Sequence, residues 1–272
     1  MRLNVLYIMY RCLIKILPKP ILEFARKYKA RFSVYLSRLR YHMTGKKEEN
    51  KDFKDIPIII NNYNRLTFLQ ELIDSLTCRG YTNIVIIDNN STYPPLLEWY
   101  RKCPYKVHIL DKNAGFCALW ETDIYKEYQK SYYVYTDSDM KLADSCPRDF
   151  MKHLVEVLEK YPMAQKVGLG LKIDDLPDSF RMKSDVIKHE SQFWKIQREP
   201  ELYVAAVDTT FAVYRPYCGG QANIHHETYR TGFPHLIHHL PWYVDSDNLE
   251  EEEKYYIAHV KTSTHWSKQA VK

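Results

Sequence analysis

Short apolar runs recur through the first two thirds of the chain, separated by longer segments of mixed character. Five of them are IPIII (56–60), NIVIID (83–88), KVHIL (106–110), YYVYT (132–136) and KVGLGL (166–171). Apolar runs this short, with polar residues at their ends, are typical of strands that are buried on both faces of a sheet. The pattern therefore predicts five buried strands.

The segments between these runs carry apolar residues three or four positions apart, which is the spacing of one helix face. One such stripe extends from Leu69 to Leu76. It follows residues 67–70, whose Thr-Phe-Leu-Gln sequence fits a capping box at a helix start. Residues 94–102, 116–129 and 147–160 are predicted as three further helices.

Strand and helix alternate about every 25 residues up to position 171, which predicts an α/β domain with a mainly parallel sheet and right-handed crossovers. Beyond that position the pattern is less regular. Residues 202–215 predict a hairpin or one bent strand, and a late helix is predicted from about Glu250.

The first 50 residues differ from the rest in charge. They hold 12 Lys and Arg against 3 Asp and Glu, a net of +9, whereas the remainder holds 27 against 31, a net of −4. Apolar and basic residues alternate there at helical spacing, and Pro18 and Pro20 separate two predicted helices, the second ending near Arg40. Such a basic amphipathic extension either lies on an anionic membrane surface or packs on the main domain. Residues 45–52 indicate a linker to that domain, which spans residues 51–272.

Composition narrows the class of protein further. Because the basic excess is confined to the N-terminal segment, no nucleic-acid partner is expected. The six cysteines are scattered without a C-x-x-C pair, which indicates reduced thiols in a cytosolic protein. The longest uncharged run near the start, residues 3–10, is too short to cross a bilayer and lacks a signal-peptide cleavage site.

Polar residues follow each of the first four predicted strands. Because the carboxyl ends of parallel strands meet at one edge of a sheet, these residues are expected to form one ligand site. Asn, Tyr and Asp suit a nucleoside, and paired carboxylates suit a divalent cation that holds a diphosphate. The residues are Asn61, Asn62, Tyr63, Asn64 and Arg65 after the first strand, Asp88 and Asn90 after the second, Asn113 and Gly115 after the third, and Asp137, Ser138 and Asp139 after the fourth.

In order and spacing, these strand ends resemble the motifs of the GT-A glycosyltransferases, especially the family 2-like group. The Tyr-Asn-Arg loop of that family corresponds to IPIIINNYNRL and its second strand end to VIIDNNST. Its Asn-x-Gly turn corresponds to residues 113–115 and its Asp-x-Asp motif to residues 137–139. The resemblance covers about residues 55–175. One departure is Asn61-Asn62 in place of the usual Pro-Thr or Pro-Ala, which leaves the base open.

The resemblance implies a GT-A fold, in which helices flank a mainly parallel central sheet, and a nucleotide-sugar donor. Asn62 and Tyr63 would line the nucleoside pocket, and Asp88 would accept a hydrogen bond from the base. Asp137 would approach the ribose and the metal. Asp139 would ligate Mn²⁺ or Mg²⁺ directly.

The C-terminal third holds the candidates for the remaining chemistry. An inverting transfer needs a carboxylate that takes the acceptor proton, and Asp208 in VDTTF is preferred over Asp174, Asp175 and Glu227. Since no Glu-Asp pair of the family's kind follows FAVYR, inverting or retaining stereochemistry stays open. Many GT-A enzymes complete the metal shell with a late His, which implies His239 as a third ligand.

Three functions compete on this evidence. The first is a metal-dependent glycosyltransferase on the inner membrane face that extends a surface polysaccharide or lipid-linked glycan, binding its donor through residues 55–175 and its acceptor through residues 176–272. The second is a nucleotidyltransferase, although NNYNRL lacks the glycine usual in the phosphate loop of such enzymes. The third is a non-catalytic sugar-nucleotide-binding module on the same scaffold, against which the intact Asp137 and Asp139 argue.

Overall fold

The fold was analysed in a computed structural model, which describes residues 18–44, 52–220 and 225–260. The first predicted helix, before Pro18, and most of the predicted linker lie outside these residues. The helices are α1 (Lys19–Thr44), α2 (Thr67–Thr77), α3 (Pro94–Tyr100), α4 (Ala118–Glu121), α5 (Tyr125–Tyr128), α6 (Phe150–Lys160), α7 (Lys183–Glu190) and α8 (Glu251–His259). Short 3-10 turns span Phe53–Asp55, Gly115–Cys117, Ser191–Trp194 and Leu240–Trp242.

Among the residues that the structure describes, nine strands form the central sheet and three form a small second sheet. The strands are β1 (Ile58–Asn62), β2 (Ile84–Asp88), β3 (Lys106–Ile109), β4 (Tyr133–Asp137), β5 (Met140–Leu142), β6 (Ala164–Gly168), β7 (Gly170–Leu171), β8 (Gln197–Glu199), β9 (Leu202–Val204), β10 (Ala212–Tyr214), β11 (Glu227–Thr231) and β12 (Leu236–His239). The central order is β3-β2-β1-β4-β10-β6-β11-β9-β8, and the small sheet is β5-β12-β7.

The predicted α/β class, with a large central sheet flanked by helices, is confirmed, but four of the eight described strand pairs in this sheet are antiparallel, so the sheet is mixed and not mainly parallel. Strands β3, β2, β1 and β4 pair in parallel, β10 runs antiparallel between β4 and β6, and β11 is again parallel to β6. Alternate residues of the buried strand β1 face the two layers of the core. Ile58 and Ile60 pack with residues of α2 and α6, whereas Ile59 packs on the opposite side with Leu119.

Four local predictions were wrong. The helix predicted over residues 116–129 is broken into a 3-10 turn, α4 and α5, because Thr122 has an extended backbone. The helix predicted from Pro147 begins at Phe150. The last apolar run forms two strands in different sheets, and residues 202–215 form β9 and β10, which do not pair with each other.

The capping box predicted for α2 is not formed. The helix begins at Thr67 with Leu66 as its N-cap, and no side chain of its own caps it. The carboxylate of Glu252 accepts hydrogen bonds from the Thr67 backbone N–H at 2.9 and 3.1 Å instead. The N-terminus of α2 is therefore satisfied from α8, far along the chain, in agreement with the preference of helix N-termini for negative charge.

Helix α1 packs on the domain along one face. Ala30 and Val34 are its buried residues, the Ser37 hydroxyl donates to the Tyr217 carbonyl at 3.1 Å, and the Tyr41 ring meets that of Tyr132 edge-on. The opposite face is exposed. Within the described ranges, no helix combines the length and hydrophobicity needed to cross a bilayer.

Candidate functional site

The ends of β1 and β2 and the turn after β3 are joined by asparagine side chains. Asn61 accepts a hydrogen bond from the Asn89 side chain at 2.6 Å, and both amides donate to the carbonyl of Gly115. Asn89 also accepts from the backbone N–H of Ala114 at 3.0 Å. Three of the four predicted strand ends therefore meet at one edge of the sheet.

Asn64 fixes the loop after β1 against the loop after β2. Its backbone has a positive φ of 52°, a conformation that Asn tolerates better than most residues. Its side-chain oxygen accepts from the backbone N–H groups of Thr92 and Tyr93 at 2.7 and 3.0 Å, and its own N–H donates to the Ser91 hydroxyl. Asn64 thus has a structural role at this rim.

Asn62 and Asp88 lie side by side below the rim, because β1 and β2 pair in register there. The Asn62 amide donates to the Arg65 carbonyl at 2.9 Å and to the Tyr100 hydroxyl at 2.8 Å. Asp88 accepts from the Ser91 N–H and the Tyr100 hydroxyl, and burial raises its pKa. Both side chains are engaged inside the protein, so their contact with a nucleoside stays a prediction.

The fourth strand end joins the same edge. Asp137 pairs with Asn61 across β4 and β1, and the backbone N–H of Ser138 donates to the Asn61 carbonyl at 3.0 Å. Burial raises the pKa of Asp137 well above its ordinary value, and the charge of Asp139 raises it further. The Thr209 hydroxyl donates to Asp137 at 2.5 Å, which favours the ionised carboxylate.

Asp139 contacts a cation and an imidazole. Its Oδ2 lies 2.6 Å from Nη1 of Arg65 and 3.6 Å from Nε2 of His239. The second guanidinium nitrogen of Arg65 lies 2.8 Å from Oε1 of Glu253. Arg65 is thus held between two carboxylates, one from the Asp-x-Asp motif and one from α8.

The surroundings of Asp139 partly fit a divalent cation. Oδ1 of Asp139 and Nδ1 of His239 are buried and have no hydrogen-bond partner among the described residues. Burial lowers the pKa of His239 despite the nearby Asp139, so its imidazole is neutral and able to bind a metal at neutral pH. Within the described part of the chain, however, no three His, Cys, Asp or Glu side chains come together as metal ligands. The set of Asp137, Asp139 and His239 stays a prediction.

Asp208, the predicted base, is exposed on the loop before β10. It adjoins Thr209, whose carbonyl accepts from the Asp137 backbone N–H at 2.9 Å. Beneath it, the buried amine of Lys166 donates to the Asp208 carbonyl at 3.0 Å and to the Tyr214 hydroxyl at 2.7 Å. Burial lowers the pKa of Lys166 to about 7. The loop that carries Asp208 is therefore fixed directly beside the Asp-x-Asp motif.

The remaining predicted residues lie around the rim. Asn90 is exposed with a positive φ of 62°, and Asn113 accepts from the Gly115 N–H at 2.7 Å. Tyr63 is partly exposed and donates to the His259 carbonyl at 3.1 Å. The alternative base Asp175 belongs elsewhere, since it accepts from the Tyr243 hydroxyl at 2.6 Å on the small-sheet side.

Sequence reasoning missed several residues of this site. Asn89 lay within the VIIDNNST motif but received no role. Thr209, Tyr100, Lys166 and Glu253 gave no signal in the sequence, because their contacts in the site depend on tertiary packing.

Comparisons with known proteins give structural neighbours only. No protein-family model matches the sequence, and no curated protein matches it. S. aureus TarS 1-349 is 14% identical with a TM-score of 0.43, over 79% of this chain and 68% of that chain. GalNAc-T7 with UDP, GalNAc and Mn²⁺ is 13% identical with a TM-score of 0.46, over 68% of this chain and 43% of that chain. Both neighbours are GT-A glycosyltransferases, the class that the sequence motifs resemble, but at these values the likeness carries no argument about activity or residues.

Proposed function

We propose that this protein is a metal-dependent glycosyltransferase with the GT-A fold. It would move a sugar from a nucleotide-diphosphate sugar to a glycan or lipid-linked acceptor. The observation that carries the proposal is the meeting of four strand ends at one sheet edge, through Asn61, Asn89, Gly115 and Ser138. Ligands of open α/β sheets bind at such edges, and the two motif carboxylates lie beside it.

Different residues of the chain would bind the metal, contact the ribose and take the acceptor proton. Asp139 and His239 would hold a Mn²⁺ or Mg²⁺ ion, which would offset the negative charge of the leaving diphosphate. Asp137 would approach the ribose, with its ionised form favoured by Thr209. In an inverting transfer, the acceptor oxygen would form its bond to the sugar carbon as the bond to phosphate breaks, and Asp208 would take the acceptor proton.

Release of nucleoside diphosphate from a panel of nucleotide-sugars, with and without Mn²⁺, tests this function. We expect release for at least one donor, dependence on the cation, and loss of release in Asp139→Asn. The control is Asp144→Asn, at an exposed aspartate a few residues away. Release of pyrophosphate from a nucleoside triphosphate supplied together with a sugar 1-phosphate would instead identify a nucleotidyltransferase, and no release in either assay would identify a binding module.

The proposal places the protein on the cytoplasmic face of a membrane through α1. A stripe of this helix faces away from the domain and is exposed: Ile21, Phe24, Tyr28, Phe32, Tyr35, Leu36, Leu39 and Met43. Helix α1 also contains seven Lys and Arg against one Glu. Apolar residues that enter the headgroup region and basic residues that face anionic lipid are the two features of an interfacial helix. Such a position would bring the site close to a lipid-linked acceptor.

A further inference from the structure

Helix α8 lies across the rim at the proposed nucleoside end of the cleft. The Tyr255 ring packs on that of Tyr93 with centroids 5.0 Å apart, and its hydroxyl lies 3.0 Å from that of Thr92. The Tyr63 hydroxyl donates to the His259 carbonyl. Helix α8 therefore contacts both the loop after β1 and the loop after β2, whose residues would have to receive a base and ribose.

This helix is not anchored by an apolar core. Its one buried residue is Glu253. Its other contacts are the Glu252 carboxylate on the Thr67 backbone N–H, aromatic ring edges and hydroxyl groups. Elements with few buried apolar contacts open at a low free-energy cost compared with core elements. Helix α8 is thus positioned to detach while the central sheet stays folded.

Glu253 of α8 forms a buried ion pair with Arg65, whose guanidinium also binds Asp139. The side chain of Arg65 is 4% exposed, and the guanidinium lies 3.9 Å from the centroid of the Tyr256 ring. Its Nε is buried and has no hydrogen-bond partner within residues 18–44, 52–220 and 225–260. One cation therefore links the Asp-x-Asp motif to α8, with one donor left unused.

From this geometry we infer that α8 is a gate that competes with the donor, and that Arg65 is its latch. The inference rests on the proposed function, because its ligand is a nucleoside diphosphate. A diphosphate offers a guanidinium bidentate, charge-assisted hydrogen bonds, so it would take Arg65 from Glu253. A divalent cation would take Asp139 from Arg65. Both events remove contacts that hold α8 on the rim. Binding of the nucleotide and of the metal would therefore each favour the released state of α8, and each would strengthen the binding of the other.

Hydrogen–deuterium exchange of the full chain tests the gate. We expect UDP or GDP with Mn²⁺ to speed amide exchange in residues 251–259 and to slow it in residues 61–65. Glu253→Gln should speed exchange in 251–259 without any ligand. It should also bind the nucleoside diphosphate about tenfold more tightly, since less of the protein is closed. The control is Glu251→Gln, at an exposed position of the same helix, which should behave as wild type.

The outcomes separate the gate from the proposed function. If the wild type binds a nucleoside diphosphate and residues 251–259 become protected, α8 is a wall of the donor site and the gate is wrong. Equal exchange and equal affinity in Glu253→Gln and Glu251→Gln would refute the latch. If Glu253→Gln binds a nucleotide that the wild type excludes, the gate is supported. If neither binds any nucleotide, the proposed function fails, and the gate fails with it.

Discussion

The hydroxyl of Thr209 lies 2.5 Å from Oδ2 of Asp137 and donates to it. The backbones of the same two residues are joined by the Asp137 N–H and the Thr209 carbonyl at 2.9 Å. The loop before β10 is thereby attached to the start of the Asp-x-Asp motif. Because Asp208 precedes Thr209, this attachment also fixes the distance between the proposed base and the proposed donor site.

Replacing Thr209 by Val should raise the pKa of Asp137, because the hydroxyl favours the ionised carboxylate. A hydrogen bond to a charged group contributes about 1.5–3 kcal/mol. We therefore expect about a ten- to hundredfold loss of transfer at neutral pH, and an acid limb of the pH–rate profile that moves to higher pH. Thr210→Val is the matched control, since the buried Thr210 hydroxyl has no hydrogen-bond partner in the described part of the chain. An equal effect of both substitutions would refute this role for Thr209.

Asp208→Asn should abolish transfer while leaving donor affinity nearly unchanged. General-base catalysis contributes about 10²–10⁴-fold, so the loss should appear in kcat and not in the Kd for the nucleoside diphosphate. Asp174→Asn, at the exposed alternative candidate, serves as the comparison. Near-normal turnover in Asp208→Asn would exclude the role, and loss of turnover in Asp174→Asn alone would move it to that residue.

If the exposed face of α1 binds a membrane, removal of its aromatic side chains should weaken binding to lipid vesicles. Phe24 and Phe32 are 71% and 52% exposed, and burying a Phe side chain contributes about 1.5–3 kcal/mol. Phe24→Ser combined with Phe32→Ser should therefore lower sedimentation with phosphatidylserine-containing vesicles more than tenfold. The control is Ile196→Ser, at a 63% exposed apolar residue away from the helix. Unchanged sedimentation of the double variant, with α1 still helical, would show that this face does not bind lipid.

Features of the fold that depend on local sequence pattern were predicted well. The apolar runs 56–60 and 132–136 locate β1 and β4 to within two residues, and the polar residues at their ends meet because parallel strands share a carboxyl edge. Tertiary packing decided the rest. Thr122 interrupts the helix predicted over residues 116–129, and the late helix predicted from about Glu250 gave no indication that Glu253 reaches Arg65 across 188 positions. Such long-range ion pairs depend on how α8 docks, which no short-range pattern encodes.

The free energy of unfolding should fall in mild acid because of a half-buried histidine, His235, which lies outside the site. The rings of His235 and His153 stack with centroids 4.0 Å apart, and burial, aided by the charge of His153, lowers the pKa of His235 to about 4 from 6.5. Below pH 6.5 the unfolded chain binds a proton that the folded chain rejects, so the free energy of unfolding falls as pH decreases towards about 4. His235→Gln should flatten this decline, measured by urea denaturation at several pH values, whereas His42→Gln on an exposed part of α1 should not. A decline that is equally steep in His235→Gln would assign it to other groups.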